Sequence, residues 1–467
     1  MATENTGYAR EGKLAEWLSE AHRIHMIGIG GAGMRVLARL LADKGYAVTG
    51  SDSASLEGAM ALSLAGIPVT PPDASGPIID ADLAVYSTAV PKDHPEMRAA
   101  EARSIPLVSR ADLFGGLMGS YCECIGIAGT HGKSTTTAMC GAILEADGRR
   151  PTLAVGAPLH GQLDGYKKGG GGALVFEACE YGDAFLAFSP TVAVLTNAEW
   201  DHPDYFPSRA AAVASFARYL SLPSVRVAVI NRDDEGAREA AAELCVPTVT
   251  FGFSEGAELR ATELAVSEKS TEFTLTERGE CLGRVTLRVR GRHNVENALA
   301  AAATARAVGV SRQAVLSALS AFPGIGRRLE YRGTLRGVAY YDDYAHHPTE
   351  IRASLSALSA RGRLFCVYQP HTYTRTGALF SELTHAFGAA YRTVVVDTYA
   401  AREDADRGPS AKELAAAIGT SALYLETPEL AALWLRDRVR AGDTVVVMGA
   451  GDVGERFFVG EHAFSET

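Results

Sequence analysis

The chain has 467 residues, 47% hydrophobic and 21% charged, with a formal net charge of −10. That length exceeds what one hydrophobic core supports, and at roughly 100–200 residues per domain it predicts about three domains. The acidic balance excludes non-specific binding to nucleic acid or to an anionic membrane, so an anionic ligand must be held locally, by glycines, Arg and Mg²⁺.

Met1 to Arg23 contains no apolar signal core, and no stretch approaches the ~18 apolar residues of a membrane span. A cytoplasmic protein is expected. The seven cysteines are scattered, and the one close pair, Cys122 and Cys124, has a single intervening residue. Reduced thiols without a structural zinc are expected.

In chain order, the apolar run His22 to Ile29 ends in Gly28-Ile29-Gly30-Gly31-Ala32-Gly33, and helical periodicity follows from Met34 to Ala42. The spacing Gly28, Gly30, Gly33 is that of a diphosphate-binding βα turn, and a second short strand delivers Ser51-Asp52 at the distance expected for a ribose contact. The alternative is a tight turn without a ligand. Alternation continues to a boundary near Pro106 to Gly119, predicting a Rossmann-like first domain over residues 1–110.

The run Cys124 to Ala128 leads into Gly129-Thr130-His131-Gly132-Lys133-Ser134-Thr135 and then a helical pattern. Strand, glycine-rich turn and helix make a phosphate cradle: backbone N–H groups point at the anion, Lys133 reaches the β/γ-phosphates, and the Ser134 hydroxyl suits Mg²⁺. The strict motif wants a further glycine where Ile127 stands. ATP binding is the reading this supports. The glycine-rich segment Gly156 to Gly172 is expected to be a mobile surface loop. Two later strands run into Glu177-Ala178-Cys179-Glu180 and Asn197-Ala198-Glu199-Trp200-Asp201-His202. Ligands of parallel sheets sit outside the carboxyl ends of the strands, which makes Glu177 and His202 candidate Mg²⁺ ligands. Ordinary solvated turns are the alternative. Val249 to Arg290 alternates like antiparallel hairpins. In the helix opening at Gly291-Arg292-His293, Asn294 and Asn297 share a face and could meet an adenine edge, or Asn294 could cap the helix.

After the link Phe322 to Arg332, strands alternate with helices again, giving a second Rossmann-like unit. Its polar clusters follow strands: Asp342-Asp343-Tyr344-Ala345-His346-His347, then Gln369-Pro370-His371-Thr372-Tyr373-Thr374-Arg375. A zinc reading of the adjacent histidines lacks an accompanying Cys. The turn Gly449 to Gly454 repeats the first fingerprint spacing or simply closes the sheet. The expected class is α/β in three domains: Rossmann-like 1–110, a central P-loop ATPase parallel sheet with added antiparallel strands at 111–326, and Rossmann-like 327–467.

These clusters, in this order along nearly the whole chain, resemble the Mur ligase family, most closely its branch that adds the first amino acid of the peptidoglycan stem. The resemblance implies ATP-dependent amide formation between UDP-N-acetylmuramate and L-alanine, through an acyl phosphate, with ATP and one or two Mg²⁺ ions. It assigns Gly28, Gly30, Gly31, Gly33, Met34, Ser51, Asp52 and Ser87 to the UDP-sugar. ATP falls to Gly129, Thr130, His131, Gly132, Lys133, Ser134 and Thr135, with Arg328 on the γ-phosphate, Asp343 on the ribose and Asn294 or Asn297 on adenine. Ser134 and Glu177 hold one metal and His202 a second; Tyr344, His346 and Arg375 orient the amino acid. Lys133, His202, Arg328 and His346 are the catalytic set. A monomer or weak dimer is expected.

Three positions depart from the family pattern: Ser134 for Thr, Cys179 for Asp, and Thr372 for an Arg that would clamp the amino-acid carboxylate, a role Arg402 could take over. No lysine occurs between Lys168 and Lys269, so the carbamylated lysine of sister ligases has no counterpart. Rival readings are the murein-peptide ligase of cell-wall recycling, a non-catalytic nucleotide-binding paralogue, and a dehydrogenase suggested only by residues 28–52.

Overall fold

The computed structural model describes residues 7–52, 56–267, 270–359, 362–401 and 403–459. Three sheets carry the chain. The first is wholly parallel, in the order β3 (Val69–Thr70), β2 (Ala47–Ser51), β1 (Arg23–Ile27), β4 (Leu83–Tyr86), β5 (Leu107–Ser109). The order reverses between β1 and β4, so the glycine turn after β1 opens into the switch-point crevice.

The second sheet comprises β6 (Glu123–Ala128), β7 (Thr152–Ala154), β8 (Tyr166–Lys167), β9 (Ala173–Glu177), β10 (Val192–Leu195), β11 (Val227–Asn231), β12 (Thr248–Gly252), β13 (Leu259–Val266), β14 (Thr271–Glu277) and β15 (Glu280–Leu287). Its order is β15-β14-β13-β12-β11-β10-β6-β9-β7-β8. Strands β12 to β7 of that order are parallel, and β11 to β7 are buried on both faces, which is why those read as largely apolar runs. The alternating stretch after Val249 forms the antiparallel meander β13–β15. The phosphate turn leaves β6, between β10 and β9, where the connections diverge. The third sheet orders β16 (Glu330–Leu335), β17 (Val338–Asp343), β21 (Thr444–Met448), β18 (Leu364–Tyr368), β19 (Arg392–Val395) and β20 (Ala422–Tyr424), with β16 alone antiparallel. The α/β class read from the sequence holds, and all seven cysteines are free thiols.

One expectation is overturned. Residues 156–172 are not a loose loop but return through β8 to pair with β7, because Tyr166 is a buried anchor. The Tyr166 hydroxyl donates to Asp43 at 2.8 Å, and Arg39 donates to the buried Asp164 at 2.8 Å, so this hairpin docks on the first domain. The helix Arg110–Leu117 also joins the two units, with Phe114 edge-on to Phe176 and Phe188. Among the described residues no helix is long and apolar enough to cross a membrane.

The helix Arg292–Ala307 buries Ala298 and Leu299 through Ala303 against the helix that follows the phosphate turn. Small side chains let the two backbones approach, so added volume has nowhere to go. Ala302→Leu should destabilise the protein by about 1–3 kcal/mol in a urea titration, and an unchanged midpoint would contradict this packing.

Candidate active site

The turn after β6 positions the phosphate cradle. Gly132 caps the helix Lys133–Ala146 at φ 80°, and a Cβ there would run into Asn297 Oδ1, so the position needs glycine on both counts. The strand-end segment after β10 pins the turn: His131 N donates to Asn197 Oδ1 at 2.8 Å, Thr196 Oγ1 donates to the His131 carbonyl at 2.7 Å, and Glu199 N donates to Thr130 Oγ1 at 2.9 Å. Lys133 Nζ lies on the carbonyls of Gly129 and Thr130 and pairs with Glu180 at 2.9 Å. Burial opposes its charge, but Glu180 outweighs it and raises the pKa. Lys133 is therefore a fixed cation. Its acidic partner is Glu180 and not Glu177, whose carboxylate accepts from Gly156 N instead.

The third domain closes on this turn through charged groups. Arg375 Nε donates to Asp201 Oδ1 at 2.9 Å, and the two side chains are 9% and 7% exposed. The same guanidinium reaches His202 Nδ1 at 3.1 Å and His371 Nδ1 at 3.0 Å. Burial pushes Asp201 toward neutrality, but Arg375 overrides it and holds the carboxyl far below its usual range. Burial first, and Arg375 after Asp201's opposing pull, keep His202 neutral. With Arg375 on Nδ1, the ring proton belongs on Nε2, which faces Asp201 and Glu180 at 3.8 and 3.9 Å. In this arrangement Arg375 is an interdomain tie, not the open carboxylate clamp expected of it, and His202 offers Nε2 as a donor. Thr372, at φ 62°, is spent as a helix cap: its Oγ1 accepts from Arg375 N at 3.4 Å. Arg402 lies outside the described residues, as does Lys269.

A second bridge centres on His131. Its Nδ1 sits 3.1 Å from Glu350 Oε1 and its Nε2 3.7 Å from Glu199 Oε2. Burial lowers the His131 pKa, but Glu350 and Glu199 more than compensate and push it up to about 10; Glu199 in turn falls to about 2 against its own burial. Glu350 also accepts from the backbone of His346 and His347 at 3.2 and 3.3 Å, opening the helix Pro348–Leu358. Burial brings His346 down to about 4, with its Nδ1 on the Tyr344 carbonyl at 3.0 Å. Tyr344 lies under the guanidiniums of Arg327 and Arg328, at 5.0 and 4.9 Å. Arg327 also donates to the carbonyls of Gly449 and Gly451 at 2.8 Å, so that last glycine turn serves to close the sheet.

Between these bridges lies a cavity of about 240 Å³, lined among others by His131, Asn294, Asn297, Arg328, Asp343 and Glu350. Burial raises Asp343 to about 6, and its Oδ2 has no partner, as fits an acceptor awaiting a hydroxyl. Asn294 is not the helix cap, a position held by Gly291; its Nδ2 donates to the Arg290 carbonyl at 2.7 Å. Asn297 accepts from Thr136 at 3.3 Å, so both amides are already engaged in supporting the turn.

In the first domain Asp52 Oδ2 accepts from Gly30 N at 2.7 Å and shapes the turn. Two residues expected at the sugar nucleotide point inward. Ser51 is fully buried and donates to Glu96, and Met34 belongs to the core. Ser87 Oγ accepts from Ala89 N at 3.3 Å. Cations missed from the sequence stand beside the turn: Arg35 donates to the Gly30 carbonyl at 2.6 Å, and Arg110 packs against Gly33. Arg35 lies on the helix just past the glycine fingerprint and Arg110 opens the helix directly after β5, so their positions after strand ends were a signal available in the sequence.

Three family models match: Mur ligase family, catalytic domain, over 23–121; Mur ligase middle domain over 127–305; and Mur ligase, glutamate ligase domain, over 327–451. The chain belongs to the Mur ligase family. As a member it is an ATP-dependent ligase, which removes the dehydrogenase reading. UDP-N-acetylmuramate–L-alanine ligases from Caldanaerobacter subterraneus and Lachnospira eligens are 36% and 39% identical to it, over 94% and 92% of this chain and 98% and 96% of theirs. The solved UDP-N-acetylmuramate–alanine ligase of Thermotoga maritima superposes with a TM-score of 0.80 at 28% identity, covering 94% of this chain and 98% of that one. A murein peptide ligase from Psychrobacter arcticus, at 24% identity and a TM-score of 0.73, shares the fold.

The Asp201 carboxyl is depressed on folding, so its stabilisation is present above the unfolded value of about 3.9 and disappears as pH falls below it. The melting temperature should drop between about pH 5 and pH 2, and drop less in Asp201→Asn. Equal acid sensitivity in both proteins would contradict this account of the tie.

Proposed function

We propose that this enzyme joins L-alanine to the lactyl carboxylate of UDP-N-acetylmuramate at the cost of ATP, in peptidoglycan precursor synthesis. The observation that carries the reading is the fixed cation Lys133 at the N-terminus of the helix after the phosphate turn, next to the Gly132 that lines the cavity between the central and third domains, in a chain of this family. Residues 1–110 would bind the UDP-sugar, 111–326 ATP, and 327–467 the amino acid. The enzyme would act in the cytoplasm as a monomer or weak dimer.

The lactyl carboxylate oxygen attacks the γ-phosphorus and ADP departs; the alanine nitrogen then attacks the acyl carbon, phosphate leaves, and the nitrogen loses its proton. Both steps bring anions together, so catalysis is positioning and charge neutralisation. Lys133 and the backbone N–H groups of Gly132 and Ser134 would hold the transferring phosphoryl group, with Arg328 approaching from the third domain. Asp343 would accept from the ribose. Neutral His346, its Nδ1 tied to a carbonyl, would present Nε2 to the incoming amine. Ser134 and Glu177 would hold Mg²⁺ through oxygen ligands of the kind it prefers, and His202 would join when Arg375 leaves its Nδ1. Bound there, Mg²⁺ would neutralise charge that develops during phosphoryl transfer. An amino-acid carboxylate competing with Asp201 for Arg375 is how the third domain would sense alanine.

Phosphate release from ATP with UDP-N-acetylmuramate present should require L-alanine, with serine and glycine poorer and the stem tripeptide inactive. Release with the tripeptide alone would assign the recycling reaction instead. Lys133→Ala should lower kcat at least about a hundredfold, ~2.7 kcal/mol in the barrier, while UDP-N-acetylmuramate still binds by calorimetry. A mutant retaining more turnover would contradict the ATP site. Activity should be indifferent to bicarbonate removal, since no lysine stands between Lys168 and Lys269 to be carbamylated; rescue by added bicarbonate would count against the branch.

A further inference from the structure

We propose that His131, Glu199 and His347 form a binding site for a borderline divalent cation of the Zn²⁺ or Co²⁺ class, joining the phosphate turn of the central domain to the third domain. One ligand atom from each residue lies within 4.8 Å of the others. His131 Nε2 is 3.7 Å from Glu199 Oε2, and His347 Nδ1 is 3.9 Å from the same oxygen. Bonds of about 2.0–2.1 Å in a tetrahedron set neighbouring ligand atoms roughly 3.4 Å apart, so the cluster needs only a small contraction.

The atoms are prepared for it. His131 Nε2 is buried and makes no hydrogen bond, with Glu199 Oε2 standing 3.7 Å away as an ion-pair partner; an ion bound there displaces the proton that this pair otherwise holds, so binding releases a proton. Its Nδ1 meets Glu350, the carboxylate–imidazole arrangement that orients a metal-binding histidine. Glu199 is likewise held by the Thr349 hydroxyl at 2.8 Å. His347 Nδ1 accepts a long 3.3 Å contact from Thr349 N, so its lone pair is unprotonated and can be traded for an ion. The rings of His131 and His347 lie 4.6 Å apart, tilted at 44°, both beside Glu199.

Two imidazoles and one carboxylate select Zn²⁺ or Co²⁺ over Mg²⁺, which prefers all-oxygen shells, and leave a fourth position for water. This ion is therefore different from the one that accompanies ATP. Its ligands come from both sides of the cleft, so an occupied site holds the third domain against the phosphate turn and inhibits turnover. The competing arrangement is an imidazolium at His131 shared by two carboxylates, which binds no ion.

The test uses the full-length enzyme stripped by chelator and titrated with Co²⁺ alone, without nucleotide. One equivalent should bind and give the intense visible bands of a four- or five-coordinate nitrogen–oxygen site, displaced by Zn²⁺. His347→Asn keeps a helix cap while removing the imidazole; it should abolish the bands, and Glu350→Gln should weaken Co²⁺ binding about 10–100-fold. His371→Ala, in the neighbouring histidine cluster, should leave them intact. Circular dichroism establishes that each variant is folded, and Glu199→Gln replaces His347→Asn should the latter unfold. Absence of the bands in the wild type, their survival in the folded ligand variant, or their loss in His371→Ala would each overturn the proposal.

Discussion

A guanidinium and a carboxylate that have both left water are stable only together, and in this protein Arg375 belongs to the third domain while Asp201 belongs to the second. Removing one partner of such a pair costs about 3–5 kcal/mol because the other is left buried and uncompensated. The closed arrangement of the two domains depends on that condition. Together with the His131–Glu350 and Thr349–Glu199 contacts, this pair holds Arg328, His346 and Glu350 over the cleft.

The same cleft sorts its histidines by surroundings alone. Without a bound ion His131 is held cationic because two carboxylates outweigh its burial, whereas His346 and His371, with burial dominant and Arg375 nearby, fall to about 4 and about 3. Environment, not residue type, sets each role. His202 lies between these limits, neutral, its Nδ1 facing Arg375. An amino acid whose carboxylate draws Arg375 away changes what His202 can offer the nucleotide, which couples the two ends of the cleft without any long-range wire.

Much of this was legible in the chain. Parallel strands buried on both faces read as apolar runs, and the turn at Gly129 to Lys133 carries its chemistry in adjacent residues, so both were readable one stretch at a time. Partners across domains were not. Glu180 and Glu177 sit in one short acidic loop, and only the backbone path sends the first to Lys133 and the second to Gly156. Arg375 looked free because Asp201, its partner, is 174 positions away. The inward direction of Ser51 and Met34 was hidden for a simpler reason: a fingerprint marks where a turn is, and side-chain direction along the strand and helix beside it decides which residues face the core. The hairpin at 156–172 was hidden because its glycines outvoted the single anchor Tyr166.

The central claim is that Asp201 and Arg375 act as one interdomain unit. A double-mutant cycle with Asp201→Asn and Arg375→Met, read as unfolding free energies in urea, measures it directly. The account predicts a coupling of at least about 2 kcal/mol, within the range for contacting residues; losses that add to within about 0.5 kcal/mol, as for distant independent sites, would contradict it.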